Sequence, residues 1–348
     1  MSFTVSIADT DHVVPAEGGD TVLSALLSHG VGFAYSCQAG NCGTCKCELV
    51  SGEIFELEYS EHALSAQERA RNIVLACRSQ VWGDVVVRQL DAEEFIVHPS
   101  RILRTRVASL GHATHDVLRL RLEILAGGPF TFSAGQFAKL AFPFARSVER
   151  DYSMASTPDD DSLEFHIRVM GPGSVSHRVA SDLKVGDEVR VSGPLGAAYW
   201  RAQHAGPALC IAGGTGLAPL YSIVRHALER GAAQPIHLYI GARTERDVYL
   251  EQELSALAAG HANLAMHYVL SEQAREDGSR AGRRTGLVTD AVAQDFDGLS
   301  GYLVYAAGPP PMVDEVDALA RDRGVPARDI HADAFYPAAP EPSLTGAP

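Results

Sequence analysis

The stretch Ser36–Cys47, SCQAGNCGTCKC, holds four of the six cysteines of the chain and decides the fold of its N-terminal part. Cys37, Cys42 and Cys45 follow the spacing C-x4-C-x2-C, and Cys77 follows after thirty-one intervening residues. This is the spacing of a plant-type [2Fe–2S] site, in which three ligands lie in one loop and the fourth is distant. The four cysteines are therefore predicted to ligate such a cluster.

Other interpretations of the cysteines compete with this one. A structural zinc site usually pairs its ligands in two short knuckles, and a disulfide framework is typical of short secreted chains. The cysteines could also be ordinary core residues. Gly40 and Gly43 favour the cluster, since they let the loop turn its N–H groups toward the sulfurs. Cys47 is the spare cysteine and is predicted to be a buried side chain at the start of a strand.

The sequence around the cysteine loop predicts a small mixed domain. Strands are expected at Phe3–Ile7, at His12–Pro15 and near residues 85–87, with a helix that follows Asp20 and ends near Gly30. With the cysteines, this pattern looks like a plant-type ferredoxin domain of the β-grasp type over residues 1–92. That segment carries 12 acidic and 5 basic residues, which fits either an acidic docking face or ordinary solvation.

Length and charge bound the function classes. The 348 residues are enough for two or three domains, and 46% are hydrophobic, as in ordinary globular chains. The net charge of −14 argues against a surface for nucleic acid or an anionic membrane. The N-terminus has no export-signal pattern, and the uncharged stretch 207–224 is broken by glycine and proline. A cytoplasmic protein without membrane contact is expected.

The middle of the chain, residues 100–203, alternates apolar and polar residues and predicts an antiparallel β-barrel. Arg150-Asp151-Tyr152-Ser153 offers a cation, a ring and a hydroxyl on one strand, a set that can hold a flavin. Gly173-Ser174-Val175-Ser176 then opens a helix, and a glycine followed by small residues at a helix N-terminus suits a pyrophosphate.

Residues 204–337 alternate strands and helices and predict a doubly wound parallel sheet. Gly213-Gly214-Thr215-Gly216 connects a buried strand to a helix expected from Leu220 to Glu229. This turn is not a strict G-x-G-x-x-G, but it puts bare backbone beside a helix N-terminus, where a dinucleotide binds. The remaining residues, 338–348, are small and proline-rich and are predicted to form a flexible tail.

Taken in order, the motifs of the three segments carry a family resemblance. They are CQAGNCGTC with Cys77, RDYS, GSVS, SGPLGAAY, CIAGGTGLAP, YIGAR, AAGPPPM and HADAFYP. The chain resembles the ferredoxin–NAD(+) reductase components of bacterial aromatic-ring dioxygenases, of the naphthalene dioxygenase and salicylate hydroxylase type. One position departs from many relatives: Ala307 stands where they carry a cysteine before glycine.

The resemblance implies residue roles. FAD would be held by Arg150, Tyr152 and Ser153, with Gly173 and Ser176 at its phosphates. NADH would lie on Gly213, Gly214, Thr215 and Gly216, with Arg243 close by and Gly308, Pro309 and Pro310 near the nicotinamide. Phe335 and Tyr336 would lie near the isoalloxazine, and Ser153 and Tyr336 would act in hydride transfer. Acidic residues after Arg243 favour NADH over NADPH, whereas Arg243 and Arg246 favour the phosphate.

The implied function is an electron chain from NADH through FAD and the [2Fe–2S] cluster to a Rieske-type oxygenase, directly or through a Rieske ferredoxin. A monomer is expected. An alternative acceptor is a di-iron monooxygenase or a deoxysugar dehydratase. A remote alternative is a zinc-binding module without enzymatic activity.

Overall fold

The computed structural model describes residues 2–61, 63–90, 96–272 and 282–336, so the predicted tail at 338–348 lies outside the described residues. Three large sheets of five, six and six strands follow one another along the chain, and a two-stranded sheet of residues 54–56 and 79–81 accompanies the first. Each large sheet has its own hydrophobic core, and the third packs one core against each of its faces. Among the helices of the described ranges, none is long and apolar enough to cross a membrane.

The first sheet belongs to the cysteine-bearing segment. Its elements are β1 Ser2–Ile7, β2 Val13–Glu17, α1 Val22–Ser28, β3 Lys46–Ser51, β4 Ile54–Glu56, α2 Ala66–Arg69, β5 Ile73–Leu75, β6 Ser79–Val81 and β7 Val85–Gln89. The sheet order is β2-β1-β7-β3-β5, with β1 and β7 parallel and the other pairs antiparallel. Helix α1 packs on this sheet and begins at a capping box made by Thr21 and Ser24. The predicted β-grasp arrangement is confirmed.

The second sheet is antiparallel throughout. Its elements are β8 Arg101–His112, β9 Val117–Ala126, β10 Phe137–Ala141, β11 Glu149–Ser153, β12 Leu163–Arg168, α3 Val175–Asp182 and β13 Glu188–Leu195. The order is β11-β10-β13-β8-β9-β12. Beyond the end of β11, Met154 bridges to Phe165 in β12, which brings the two edge strands together. The sheet therefore curls into the predicted barrel, with the RDYS strand at the seam.

The third sheet is parallel throughout. Its elements are β14 Ala208–Gly213, α4 Leu217–Glu229, β15 Ile236–Ala242, α5 Glu251–Gly260, β16 Leu264–Leu270, β17 Arg283–Thr285, α6 Val288–Asp295, β18 Leu303–Gly308, α7 Pro310–Asp322 and β19 Ile330–Ala334. The order is β17-β16-β15-β14-β18-β19, so the direction of progression reverses between β14 and β18. A doubly wound sheet binds ligands beyond the carboxyl ends of its strands at such a reversal.

Helix α4 starts at Leu217, three residues before the predicted Leu220. The prediction delayed the helix because Pro219 was placed in the turn. Proline is accepted in the first helical turn, because its missing N–H has no partner inside the helix there.

A buried ionic network joins the barrel to the third sheet. Both carboxylate oxygens of Glu164 accept hydrogen bonds, from Arg119 Nε at 2.8 Å and Arg121 Nε at 2.6 Å. Arg119 also reaches Glu253 of α5 at 2.7 Å. Burial raises the pKa of Glu164, but hydrogen bonds from His166 and Arg119 outweigh it and hold that pKa well below its ordinary value. The carboxylate is therefore ionised at neutral pH and holds Arg119, whose other hydrogen bond, to Glu253, joins the barrel to the unit of the third sheet.

Candidate functional site

The four predicted ligand cysteines lie together at one end of the first sheet. The Cys37 thiol interacts with that of Cys42, and the Cys45 thiol interacts with that of Cys77. Cys37 and Cys42 are half-buried, whereas Cys45 and Cys77 are buried. The loop thus gathers four sulfurs from sequence positions as far apart as 37 and 77.

Backbone N–H groups point at these sulfurs. Ala39 and Asn41 both donate to Cys37 Sγ at 3.4 Å. The Cys42 thiol and these N–H groups lower the pKa of Cys37 to about 5. Cys45 and the N–H of Gly40 likewise lower the pKa of Cys77. In each pair the other thiol shifts the opposite way: the neighbouring thiol and burial raise the pKa of Cys42 and of Cys45. Four adjacent sulfurs with N–H donors around them fit an iron–sulfur cluster, whose charge such donors offset.

Gly40 and Cys47 have structural roles in and beside the cysteine loop. Gly40 has φ +76°, and a Cβ there would come within 2.8 Å of side-chain atoms of Arg78 and Tyr59. A side chain at this turn would therefore be both strained and crowded. Cys47 is fully buried in β3, and burial raises its pKa to about 12. A protonated thiol inside the core agrees with the prediction that Cys47 is a packing residue.

The barrel presents the RDYS strand β11 at its seam. Arg150 and Tyr152 are half-buried, and Ser153 at the end of the strand is buried. The ring of Tyr152 meets Phe142 edge to face at 6.2 Å, and burial raises the pKa of its hydroxyl to about 12. Tyr152 therefore offers a fixed, neutral aromatic surface, and Arg150 places a cation on the same face of the strand two residues away.

Helix α3 begins directly after the GSVS glycine. Gly173 has φ +89°, and the Ser174 hydroxyl caps the helix by accepting from His177 N at 3.1 Å. The Ser176 hydroxyl accepts from Met170 N at 3.0 Å, so it stabilises the preceding loop. The first N–H groups of a helix have no partner within it. Ser176 can therefore offer its backbone N–H to a phosphate, together with the positive end of the helix dipole.

Two glycine turns meet at the strand-order reversal of the parallel sheet. Gly213 ends β14 and is followed by Gly214–Gly216, while Gly308 ends β18 and is followed by Pro309. A Cβ on Gly216 would lie 1.9 Å from the Ala307 carbonyl oxygen, and one on Gly308 would lie 2.7 Å from the Gly213 oxygen. Only glycine permits this approach of the two backbones. Gly214 is exposed and Thr215 half-exposed, so the turn offers accessible backbone beside the N-terminus of α4, as a pyrophosphate requires.

The end of β19 and the two residues after it connect the three regions. Phe335 N donates to the Gly308 carbonyl at 2.8 Å, which places this segment beside the second glycine turn. The Tyr336 hydroxyl donates to the Asn41 carbonyl of the cysteine loop at 2.9 Å. Asp333 accepts from Ser153 Oγ at 3.3 Å and from Ser36 Oγ at 3.0 Å. Burial raises the pKa of Asp333 to about 6, against the two hydroxyls, which lower it.

The predicted nucleotide residue Arg243 follows β15 and is held by acidic neighbours. Its guanidinium donates to Asp116 at 3.1 Å and to Asp247 at 2.9 Å. Burial raises the pKa of Asp247, but hydrogen bonds from Thr244 and Arg243 outweigh it and hold that pKa below its ordinary value. Arg246, the other cation of this turn, points its Nε to His115 at 3.3 Å. Both arginines are thus engaged within the chain.

The predicted site residues fall into regions that meet, but the sequence analysis missed the residues that join them. Ser36, Asn41 and Asp333 were inside quoted motifs and were given no role. Asp116 lies in the turn between β8 and β9, and no local pattern marked it. The missed residues act across the fold, and only Asp333 had a signal, as an isolated carboxylate in a predicted cofactor motif.

Comparison with known families divides the chain in the same order. The 2Fe-2S iron-sulfur cluster binding domain matches residues 5–81. The oxidoreductase FAD-binding domain matches residues 104–200, and the oxidoreductase NAD-binding domain matches residues 210–318. These matches support all three predicted cofactors and leave the zinc-module alternative without support.

Whole-chain relatives are reductases. The chain is 43% identical over 322 residues to the ferredoxin–NAD(P)(+) reductase component of the naphthalene 1,2-dioxygenase/salicylate 5-hydroxylase systems of a Ralstonia species, covering 92% of this chain and 95% of that protein. It is 36% identical to the reductase component of phenol 2-monooxygenase from a Pseudomonas species, covering 97% and 96%. The crystal structure of an Amycolatopsis cytochrome P450 reductase superposes with a TM-score of 0.81 at 35% identity, covering 97% of this chain and 100% of that one.

Proposed function

Because the chain belongs to the family of ferredoxin–NAD(P)(+) reductase components of multicomponent oxygenases, we propose that it supplies electrons from NADH to a Rieske-type aromatic-ring oxygenase. Delivery is direct or through a separate Rieske ferredoxin. The observation that carries this function is the convergence of the cysteine loop, the end of β11 and the Gly308 turn on residues 333–336, at the end of β19 and just after it.

Each region has one task in this proposal. The cluster is ligated by Cys37, Cys42, Cys45 and Cys77; FAD is held by Arg150, Tyr152, Ser153, Gly173 and Ser176; NADH is held by Gly213, Gly214, Thr215, Gly216, Arg243, Gly308 and Pro309. Flavin supplies the exchange between the electron pair of a hydride and the single electrons that a cluster carries. The corresponding domains span residues 1–92, 100–203 and 204–337. One chain holds all three sites, which supports a monomer as the working unit.

The chain's own residues orient the reactants. Ser153 and Asp333 form a polar pair at the end of the flavin strand, and Tyr336 lies beside it with its hydroxyl fixed by Asn41. We place Ser153 and Tyr336 at the hydride-transfer position, with Phe335 anchored to the Gly308 turn. Tyr336 would have to move aside for a nicotinamide to reach the flavin site, and its hydrogen bond to Asn41 would then be lost.

Arg243 supports a preference for NADH. A 2′-phosphate at this turn would have to compete with two carboxylates for Arg243, and it would meet the charges of Asp116 and Asp247 at short range. The ribose hydroxyls of NADH carry no charge and can donate to a carboxylate, as they do in related nucleotide sites. The acids therefore favour the uncharged ribose.

The nature of the acceptor rests on similarity. The relative with 43% identity serves a dioxygenase and salicylate hydroxylase, which supports the aromatic Rieske acceptor. The relative with 36% identity serves phenol 2-monooxygenase, so a monooxygenase is the second candidate acceptor.

An anaerobic titration tests the proposal. Purified protein with assayed iron and flavin is titrated with NADH up to two equivalents, because flavin and cluster together take three electrons and each NADH supplies two; visible bleaching of both chromophores is expected. Each NADH should then reduce two ferricyanide or two cytochrome c molecules and release one proton. Reduction of a purified Rieske ferredoxin or Rieske oxygenase, and not of a monooxygenase hydroxylase, completes the test. Protein that holds iron and flavin but does not bleach with NADH would overturn the proposal.

A further inference from the structure

The C-terminal segment 333–336 contacts the cysteine loop at two places, one on each side of Cys37. The Ser36 hydroxyl, one residue before Cys37, donates to Asp333 Oδ1 at 3.0 Å. The carbonyl of Asn41, one residue before Cys42, accepts from the Tyr336 hydroxyl at 2.9 Å. Since Ser36 is only 5% exposed, its hydroxyl lies inside the junction between the two units and not on a solvated surface.

The second oxygen of Asp333 faces the barrel. It accepts from the hydroxyl of Ser153, the last residue of the flavin strand β11, at 3.3 Å. Asp333 is held in place by β19, where it pairs with Ala307 of β18. One carboxylate therefore joins a loop, a barrel strand and a parallel strand that come from three different folding units. A carboxylate suits this place, because it has two acceptor oxygens and can take one hydroxyl on each.

We propose that Asp333 is a positioning residue that, through Ser36, holds the cysteine loop at a fixed distance from the end of the flavin strand, and so controls electron passage from flavin to cluster. This rests on the proposed function. Electron transfer between two bound groups weakens steeply as they separate, whereas hydride transfer from NADH depends on the other side of the site. The Ser36–Asp333 hydrogen bond therefore affects the second step and leaves the first unchanged.

The backbone before and after Ser36 explains why one hydrogen bond can set the distance between the cysteine loop and the flavin strand. Tyr35 O accepts from Ala197 N at 3.1 Å, so the chain before Ser36 is already attached to the barrel. After Ser36, the loop turns away through the cysteines. The Ser36 hydroxyl is thus the last polar attachment before the ligands, and its loss frees the loop at its N-terminal end while Tyr336 still holds its middle.

The test uses full-length protein with Ser36→Ala. In stopped-flow mixing with NADH, the rate of flavin reduction and the NADH–ferricyanide activity are expected to stay within twofold of the original protein. The rate at which electrons reach the cluster, and with it cytochrome c reduction, is expected to fall by clearly more than the twofold tolerance of the first step, because the cluster is no longer held at a fixed distance from the flavin strand. Iron content and the visible spectrum before reduction should be unchanged.

A second readout does not depend on activity. Hydrogen–deuterium exchange of peptides that cover residues 36–45 should be faster in Ser36→Ala, and exchange in β14 and β18 should be unchanged. Ser222→Ala is the matched control, because Ser222 is also a fully buried serine that bonds across a junction, to the Ser156 carbonyl at 2.7 Å. It should leave both the loop exchange and the ratio of the two rates as they are.

The variant Asp333→Asn tests whether the hydrogen bonds of Asp333 or its negative charge matter for electron transfer to the cluster. An amide can still bond both serines if one hydroxyl turns to accept, so this variant should retain more of the cluster-reduction rate than Ser36→Ala. Equal slowing of flavin reduction and cluster reduction in Ser36→Ala, or no change in either, would overturn the inference. Failure of the original protein to bleach with NADH would instead overturn the proposed function.

Discussion

Gly216→Ala should disable NADH use while leaving the rest of the protein intact. Gly216 has φ −59° and ψ −14°, a helical conformation that alanine adopts without strain. The whole effect therefore comes from the added Cβ. That atom would lie 1.9 Å from the Ala307 oxygen and 2.3 Å from its carbonyl carbon. Both contacts are backbone, so no side chain can rotate away to relieve them.

The magnitude follows from the distance. A carbon and a carbonyl oxygen rest about 3.3 Å apart, so the two turns must separate by about 1.4 Å. Overpacking of this kind costs about 1–3 kcal/mol of stability. A misplacement of about 1 Å at a reacting centre can cost about 10²-fold in rate. Since the nicotinamide is expected between these two turns, kcat/KM for NADH should fall about 100-fold.

The assay is NADH–ferricyanide reduction, with iron and flavin content measured on the same sample and dithionite used as a reductant that bypasses the nucleotide site. Gly260→Ala is the control: Gly260 ends helix α5 in the same domain, and a Cβ there meets nothing within 4 Å. It should retain full activity. A Gly216→Ala protein whose kcat/KM for NADH stays within twofold would refute the reasoning, because the turns would then not form the nucleotide site.

The remaining predictions concern the cluster, the nucleotide and the domain junction. Cys77→Ser should lose most bound iron and cytochrome c reduction, whereas Cys47→Ser should keep both; iron loss from the second variant would contradict the ligand assignment. Asp247→Asn should raise the ratio of NADPH to NADH kcat/KM about tenfold, one charge contact being about 1.4 kcal/mol; an unchanged ratio would exclude this acid from cofactor choice. Glu164→Gln should cost about 2 kcal/mol in urea unfolding, less than the ~3–5 kcal/mol of a fully buried pair because Arg121 is half exposed. The control is Glu188→Gln, at an exposed position. Because folding lowers the pKa of Glu164, the stabilisation by Glu164 is complete above its ordinary pKa of 4.5 and is lost as the pH falls through the pKa of the folded state.

Local patterns were enough to predict the three sheets. The period of alternation separated the barrel from the parallel sheet, and β16 was predicted at the bounds that the structure has, Leu264–Leu270. The cysteine spacing likewise brought four distant residues into one hypothesis, because the geometry of a cluster fixes the sequence pattern around it. In both cases the interactions that determine the structure lie within one secondary-structure element or one sequence motif.

The site as a whole was harder to predict, because its key contacts join distant parts of the chain. Ser36 and Asp333 are 297 residues apart, and nothing near either residue indicates that they meet. Arg243 and Asp116 are 127 residues apart in the sequence. The arginine alone favours the phosphate of NADPH, whereas its pairing with this acid supports NADH. The Ser176 hydroxyl was expected at a phosphate, but its bond to Met170 N depends on how the preceding loop folds back.

The unequal attachment of the three units has a consequence for protein engineering. The barrel and the parallel sheet are joined by the Glu164–Arg119–Glu253 network, while the cysteine-bearing unit meets them through Ser36, Asn41, the backbone of Tyr35 and the side chain of Leu195, which packs against its core. A foreign ferredoxin could therefore be grafted in place of the native one without disturbing the flavoprotein half. The grafted domain would need a hydroxyl side chain directly before its first ligand cysteine, to bond Asp333. It would also need an accessible backbone carbonyl directly before its second ligand cysteine, to bond Tyr336.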